Sequence, residues 1–386
     1  MRHNSLCRIG VIAYSQGEMG RAILRGASSF CRANKAISLH LLSDKGYYPD
    51  VTRKVAGMDV VLAQDARSDH LIDLRKYCAN TISLSNQCLT KGVTKVLNDD
   101  IAIGELGAQY LFSRGFRTFA FLEAGWFRKG KVSPFLFSRE RAEGFLKQLR
   151  PTGLPVHHFP IAAIAQTPSI LAALQKIPGR VGVMTSSDLY AQWLLNAIPN
   201  PEKHIPHQLG ILGVDDDPLI NALAPVPLSS IHPAGERLGF EAARLGFDLF
   251  TGKRTGCPEI RIAPSHLQTR TTTDIFAVED ALVAKTQRWI WSHLSHIGDV
   301  SDIIVAMGIP RRTLEAKFHH HIGRGIAAEL LQARITRATE LLGTTSLTIS
   351  EIAHLVGFSE SRLLSRNFRK LTGETPGQYR SRIKPL

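Results

Sequence analysis

Five arginines stand out first, because they occupy two stretches that repeat. Arg311 and Arg312 follow Asp302-Ile303-Ile304-Val305-Ala306-Met307-Gly308-Ile309. Arg362, Arg366 and Arg369 follow Glu351-Ile352-Ala353-His354-Leu355-Val356-Gly357-Phe358. Downstream, Leu314, Phe318 and Gly323 correspond to Leu364, Phe368 and Gly373, with the second copy carrying one extra residue just after its turn. Each copy reads as a short helix (about 299–306 and 348–355), a sharp end at glycine, which tolerates the left-handed backbone, and a second helix. Ile309 or Phe358 plugs the angle, while Leu314 and Phe318, or Leu364, Phe368 and Leu371, share one buried face. The opposite face offers Arg311, Arg312 and Glu315 in the first copy. It offers Ser361, Arg362, Ser365, Arg366 and Arg369 in the second. A guanidinium can fork onto O6 and N7 of guanine, or bind phosphates without reading sequence, so double-stranded DNA is the expected partner. A solvated basic face on an ordinary helical bundle is the alternative for either copy alone; repetition of one glycine and apolar pattern weighs against it.

A second set of polar residues falls where strands end. Asp99 and Asp100 follow an apolar run, Asp188 follows Val181–Thr185, and Asp215 and Asp216 follow Leu209–Gly213. Arg141 lies four positions before Phe145. Open α/β sheets place ligands at the carboxyl ends of their strands. Carboxylates accept paired hydrogen bonds from vicinal hydroxyls and arginine donates to ring oxygens, which suits a small sugar. Tyr14, Trp126, Phe127 or Phe137 can cover the apolar sugar face. An aspartate after a strand serves equally well as a helix cap or turn former, and Arg141 equally well as a surface helix residue.

The elements that must position these groups alternate. Strands are expected at 9–13, 37–42, 59–63, 81–84, 95–97, 118–122, 156–160, 181–185, 209–213, 228–231 and 260–263. Helices are expected at 17–34, 101–114, 138–149, 188–197 and 233–251. That rhythm predicts mostly parallel sheets covered by helices. Eleven strands exceed one ordinary open sheet, so two α/β lobes facing a cleft are expected. After about 271 the strand pattern stops. Thr271-Thr272-Thr273-Asp274 reads as a polar linker, and an all-α tandem helix-turn-helix region follows. An amphipathic helix at 326–342 joins its two copies and can set their reading helices about one DNA turn (~34 Å) apart. The boundaries expected are 1–272, a linker at 273–282, and 283–386.

Composition agrees with a folded, nucleic-acid-binding protein. The chain has 386 residues, 44% of them hydrophobic, and a formal net charge of +14. Residues 281–386 hold 15 Lys and Arg against 8 Asp and Glu; the first 280 hold 32 against 25. Basic density is therefore concentrated at the C-terminal end, where it attracts polyanions. Five scattered cysteines with no C-x-x-C spacing predict a reduced, cytoplasmic protein without a metal site or cofactor. No apolar run reaches the roughly 18 residues of a membrane span, and no signal peptide is read at Met1–Ala13. Gly125 to Lys131 spells most of a P-loop, but Val132 stands where a Ser or Thr must hold magnesium and Pro134 blocks an immediate helix. His319-His320-His321 points in three directions on a helix, so a surface patch is expected rather than a metal site.

The C-terminal hundred residues resemble the AraC/XylS family of transcription regulators. The resemblance rests on Gly357-Phe358-Ser359-Glu360-Ser361, on Leu364-Ser365-Arg366-Asn367-Phe368-Arg369-Lys370, and on Gly373-Glu374-Thr375-Pro376 with Tyr379-Arg380. It implies that Arg312, Glu315, Ser361, Arg362 and Arg366 approach DNA. Ala316 stands at an often basic position, where neighbouring Lys317 can substitute. The N-terminal part resembles the two-lobed type I periplasmic-binding-protein fold of the LacI/GalR repressors, through Asn98-Asp99-Asp100, Arg141, Ser187-Asp188 and Gly213 to Asp217. The usual N-terminal DNA-binding head has no counterpart, since the first strand begins near residue 9. Together these resemblances imply a homodimeric transcription regulator, an activator that contacts RNA polymerase, controlled by xylose or a related monosaccharide. The segment Glu123–Phe137 is expected as a loop rich in Arg128, Lys129 and Lys131, compatible also with an anionic sugar derivative. The rival readings are a carbohydrate- or nucleotide-processing enzyme with a helical appendage, and a solute-capture protein.

Overall fold

The computed structural model describes residues 6–45, 50–64, 68–128, 131–274 and 280–383. Its strands are β1 Cys7–Ile12, β2 Ile37–Ser43, β3 Val60–Ala63, β4 Thr81–Ser83, β5 Thr94–Asn98, β6 Thr118–Arg128, β7 Lys131–Pro134, β8 Val156–Ile161, β9 Val181–Thr185, β10 Leu209–Val214, β11 Ser229–His232, β12 Glu259–Ile262 and β13 His266–Gln268. They form two sheets. The first runs β12-β5-β4-β3-β1-β2 with every pairing parallel. The second runs β13-β11-β10-β9-β6, with β8 parallel to the inner half of β6 and β7 antiparallel to its outer half. Strands such as Val60–Ala63 and Val181–Thr185 are buried at every position, as expected of parallel sheets covered on both faces.

The chain crosses between the lobes three times, after β5, after β11 and between β12 and β13. Adjacent crossings are tied together: the Asp99 amide donates to the Ile262 carbonyl at 2.8 Å, and the Ser265 amide to the His232 carbonyl at 2.9 Å. Such a narrow, paired waist is the geometry of a hinge.

Two short strands, β7 and β13, escape the sequence pattern. The expected loop at 123–137 is instead a β-hairpin arm, in which Gly125 pairs with Pro134 and Phe127 with Val132. Lys129 and Gly130 lie outside the described residues. The expected linker is also shorter than read: Thr272 and Thr273 are fully buried, and their hydroxyls bond to the Ser229 amide (2.8 Å) and hydroxyl (2.6 Å). They close the second lobe. Residues 275–279 of the linker lie outside the described residues, and Asp280 already caps the next helix through the Leu282 and Val283 amides.

That helix, Ala281–Ser292, opens an all-α region continuing through Val300–Met307, Arg311–Ile322, Ile326–Thr344, Ile349–Leu355, Ser361–Thr372 and Pro376–Ile383. The repeat is visible in its details. Both first helices start with a capping box, Asp299 with Asp302 and Thr348 with Glu351. Both turns hold a left-handed glycine, Gly308 at φ 65° and Gly357 at φ 87°. Phe318 and Phe368 are fully buried in the two unit cores; truncating either to alanine costs about 3–5 kcal/mol. One helix serves both cores: Ile326, Leu330 and Ala333 face the first, and Ile335, Ala338, Leu341 and Leu342 the second. Leu371 does not join the second core as expected. It is 41% exposed.

Candidate functional site

The cleft is built on two helices of the second lobe packed backbone to backbone. A Cβ on Gly104 would lie 2.0 Å from the Arg141 carbonyl, and one on Gly144 would lie 2.0 Å from that of Ile101. Only glycine permits this approach, and it brings Arg141 over Asp100 at the helix start. Arg141 Nε donates to Asp100 Oδ1 at 2.7 Å, and its Nη1 donates to the Ser186 carbonyl. Its guanidinium lies 5.0 Å from the centre of the Phe137 ring, which stacks on Phe135 at 5.3 Å. Burial raises the Asp100 carboxyl to about 6, against the opposing pull of Arg141.

Two further carboxylates meet this pair. Asp188 accepts from the Ser230 hydroxyl at 2.6 Å and from the Asp217 amide at 2.8 Å. Burial, then the charge of Asp215, holds it well above the ordinary range. Asp215 sits in a turn with φ 117°, followed by Asp216 at φ 50°. Burial raises its carboxyl to about 7; Arg141 lowers it, and Asp217, Asp100 and Glu18 raise it. Asp100, Arg141, Asp188 and Asp215 therefore share one electrostatic neighbourhood. Buried acids that take up protons more readily than free ones, alongside a buried arginine, offer both donors and acceptors to a polyhydroxyl ligand.

Groups from the first lobe close over them. Asp217 accepts from the Glu18 amide at 3.2 Å and from Arg21 Nη2 at 3.1 Å, across the cleft. Asn86 donates to Asp100 and Glu140, each at 3.2 Å, and Arg261 pairs with Glu140 at 2.9 Å. Sequence reasoning singled out none of Glu18, Arg21, Asn86, Glu140 or Arg261. Along the chain their side chains look like any solvent-facing charge or amide until the lobes are placed face to face.

Several expected cleft groups have other duties. Asp99 caps its helix, accepting from the Ala102 amide at 3.0 Å. Asp216 pairs with Arg270 at 2.7 Å. Tyr14 is 43% exposed beyond the end of β1, and its hydroxyl bonds Gln16 at 3.0 Å. The described residues of the P-loop look-alike, 125–128 and 131, lie on β6 and β7, where Trp126 packs edge-on to Phe135 at 4.9 Å.

On the helical region, Arg311, Arg312, Arg362, Arg366 and Arg369 are all exposed on the second helices of their units, with Ser361 and Ser365 half-buried among them. Two of the expected contacts are engaged inside the protein. Glu315 accepts from the Ile326 amide at 3.1 Å, starting the next helix. Lys317 is bonded to Asp280. Both are half-buried, unlike the exposed arginines. Among the described residues no cluster of three His, Cys, Asp or Glu can hold a metal ion, and no helix is long and apolar enough to cross a membrane.

Comparison with known proteins matches this two-part geometry. Residues 32–176 match the family of periplasmic binding proteins and the sugar binding domain of the LacI family. Residues 108–273 match the periplasmic binding protein-like domain, and residues 304–382 a helix-turn-helix domain. This chain thus joins a periplasmic-binding-protein-like domain to a helix-turn-helix domain. The xylose operon regulatory protein of Haemophilus influenzae is 24% identical over 293 residues, 74% of either chain. That of Escherichia coli K12 is 28% identical over 207 residues, 54% of this chain and about half (53%) of its relative. A solved xylose-binding transcription activator superposes over 97% of both chains with a TM-score of 0.56 at 20% identity. A LacI family regulator from Enterococcus faecium with bound ribose covers 69% of this chain and 98% of its own, with a TM-score of 0.55 at 21% identity. At these identities the solved structures establish the fold of the periplasmic-binding-protein-like domain and of the helix-turn-helix region.

Proposed function

We propose that this protein is a sugar-responsive transcription regulator that reads a promoter with its paired helix-turn-helix units. The observation that carries the reading is the doubled unit, each copy with a left-handed glycine, a buried phenylalanine and exposed arginines on its second helix. Arg311, Arg312, Arg362, Arg366 and Arg369, with Ser361 and Ser365, are the residues we assign to DNA. Asp100, Arg141, Asp188 and Asp215 are those we assign to the effector, with Phe137 as the aromatic wall. The effector is a neutral monosaccharide, xylose or a close relative: both arginines there are already paired with acids, Arg141 with Asp100 and Arg21 with Asp217, which disfavours a phosphate or carboxylate ligand.

The protein acts without turnover, in the cytoplasm, as a homodimer and as an activator that engages RNA polymerase. The relatives named as xylose operon regulators support this reading. A ligand can control such a protein only if it binds one lobe arrangement better than the other. A thermal-shift screen of pentoses, hexoses and uronic acids tests the sensor. A neutral sugar should raise Tm in the wild type and not in Asp215→Asn, and a uronic acid should not. A shift retained in full by Asp215→Asn and by Arg141→Ala overturns the pocket assignment.

A further inference from the structure

We propose that the final helix, Pro376–Ile383, is a strut across the hinge, and that Tyr379 and Arg237 are positioning residues tying the second reading helix to the angle between the lobes. This rests on the functional reading above and adds how the effector's signal reaches DNA.

The helical region behaves as one body. Arg334, buried in the helix that serves both cores, donates to the Ile297 carbonyl of the first unit and lies 5.3 Å over the Phe358 ring of the second. A Cβ on Gly357 would lie 2.0 Å from the Leu294 carbonyl, so the two units touch backbone to backbone. That body docks on the second lobe. Arg117, which precedes β6, donates to the last carbonyls of the first reading helix, His321 at 3.3 Å and Ile322 at 3.2 Å. Arg114 lies 4.6 Å over the Trp291 ring, Thr269 bonds Glu340 at 3.3 Å, and Gly343 packs on His266.

The final helix reaches further. The Tyr379 hydroxyl donates to the Ser265 carbonyl, inside the third crossing. Ser265 is itself bonded to His232 of the second crossing, through its hydroxyl to Nδ1 at 2.8 Å. Two residues on, the Ser381 carbonyl accepts from Arg237 Nη1 at 3.1 Å, and Arg237 belongs to a helix of the first lobe. Beside this joint lies a cavity of about 390 Å³, lined by Ala263, Pro264, Leu267, Leu371, Thr372 and Tyr379. Leu371, which stands outside the unit core, faces this cavity.

A rigid body fixed to one lobe cannot follow a rotation of the other. When the lobes turn about the crossings, the Arg237–Ser381 contact breaks or the final helix shifts. The Tyr379 ring packs edge-on to Phe368, 5.5 Å away, in the core behind the second reading helix. A shift there is passed to the helix carrying Arg362 and Arg366.

The test uses the full chain and a duplex of the promoter adjoining its own gene, in wild type, Tyr379→Phe, Arg237→Ala and the double variant. Tyr379→Phe keeps the ring against Phe368 and removes one hydroxyl, so the fold is retained. In the first arm, DNA affinity is measured with and without D-xylose. The wild-type ratio should be about fivefold or more, the range of ordinary allosteric coupling, and should fall below about twofold in the double variant. In the second arm, hydrogen exchange at 232–234 and 262–268 is followed as duplex is added without sugar. Wild type should change its exchange there, and the double variant should not. A wild type whose ratio does not respond to D-xylose speaks against xylose as effector and leaves the second arm to decide the strut. A double variant that keeps the wild-type exchange response, or a wild type with none, overturns the strut. A wild type that does not bind the duplex overturns the functional reading itself.

Discussion

Asp215 and Asp100 give the cleft a measurable pH signature. An unburied aspartate titrates near 3.9, whereas burial raises these two to about 7 and about 6. The folded protein therefore keeps protons that the unfolded chain has released. The stability they contribute is fully present below about 4 and is lost as pH rises through their folded values. His232, whose buried ring titrates low, acts in the opposite sense as pH falls, so the comparison must isolate one group. The Tm of wild type minus that of Asp215→Asn should fall as pH rises from 5.5 to 8 in the absence of sugar. A difference that is flat or rises over that interval contradicts the buried, protonated state of Asp215. Arg141→Ala is a harsher change. It leaves Asp100 buried without its partner, which costs about 3–5 kcal/mol for an acid that stays charged and less if Asp100 takes up a proton. At this scale the sequence points to Asp100, Arg141, Asp188 and Asp215, because each falls at a strand end or one turn before a core phenylalanine, and the fold brings the four into one neighbourhood. It does not reveal that Asp99 turns to its own helix or that Arg270 draws Asp216 away, since both depend on neighbours that the fold supplies.

The two turn glycines look equivalent along the chain and are not equivalent in space. Gly308 has φ 65° and open space around the missing Cβ. Gly357 has φ 87° and the Leu294 carbonyl 2.0 Å from where its Cβ would stand. Gly308→Asn should cost under about 1 kcal/mol, because asparagine accepts the left-handed conformation. Gly357→Asn adds a backbone clash to that conformation and should cost about 3 kcal/mol or more. Urea unfolding of the full chain checks both, and equal costs would contradict the contact between units. The helix-turn-helix elements were legible because two copies enforce one pattern. By contrast, β7 and β13 are four and three residues long, too short to show a period, and each owes its strand character to an antiparallel neighbour. The buried threonines at 272 and 273 read as linker because their polarity is satisfied by Ser229, 40-odd positions earlier.

Across the whole molecule, the order of an α/β two-lobed domain followed by a basic helical one is legible from rhythm and charge alone. The docking between them is not, because Arg117, Tyr379 and Arg237 find carbonyl partners more than a hundred residues away. With the helical region docked the arginines remain exposed, and each phosphate they neutralise releases counterions. Log Kobs for DNA should therefore fall with log salt at a slope near −0.9 per phosphate contact, and Arg369→Ala should make that slope shallower by about one contact if it meets a phosphate. An unchanged slope places Arg369 off the backbone. The most direct test of the central claim is a DNase footprint of the full chain on the promoter adjoining its own gene, compared with Arg362→Ala/Arg366→Ala. Both side chains are exposed, so the variant should melt within about 2 °C of wild type, as surface changes usually cost little, yet lose protection over the half-site read by the second unit. An identical footprint from the folded variant would contradict the assignment of that helix to DNA.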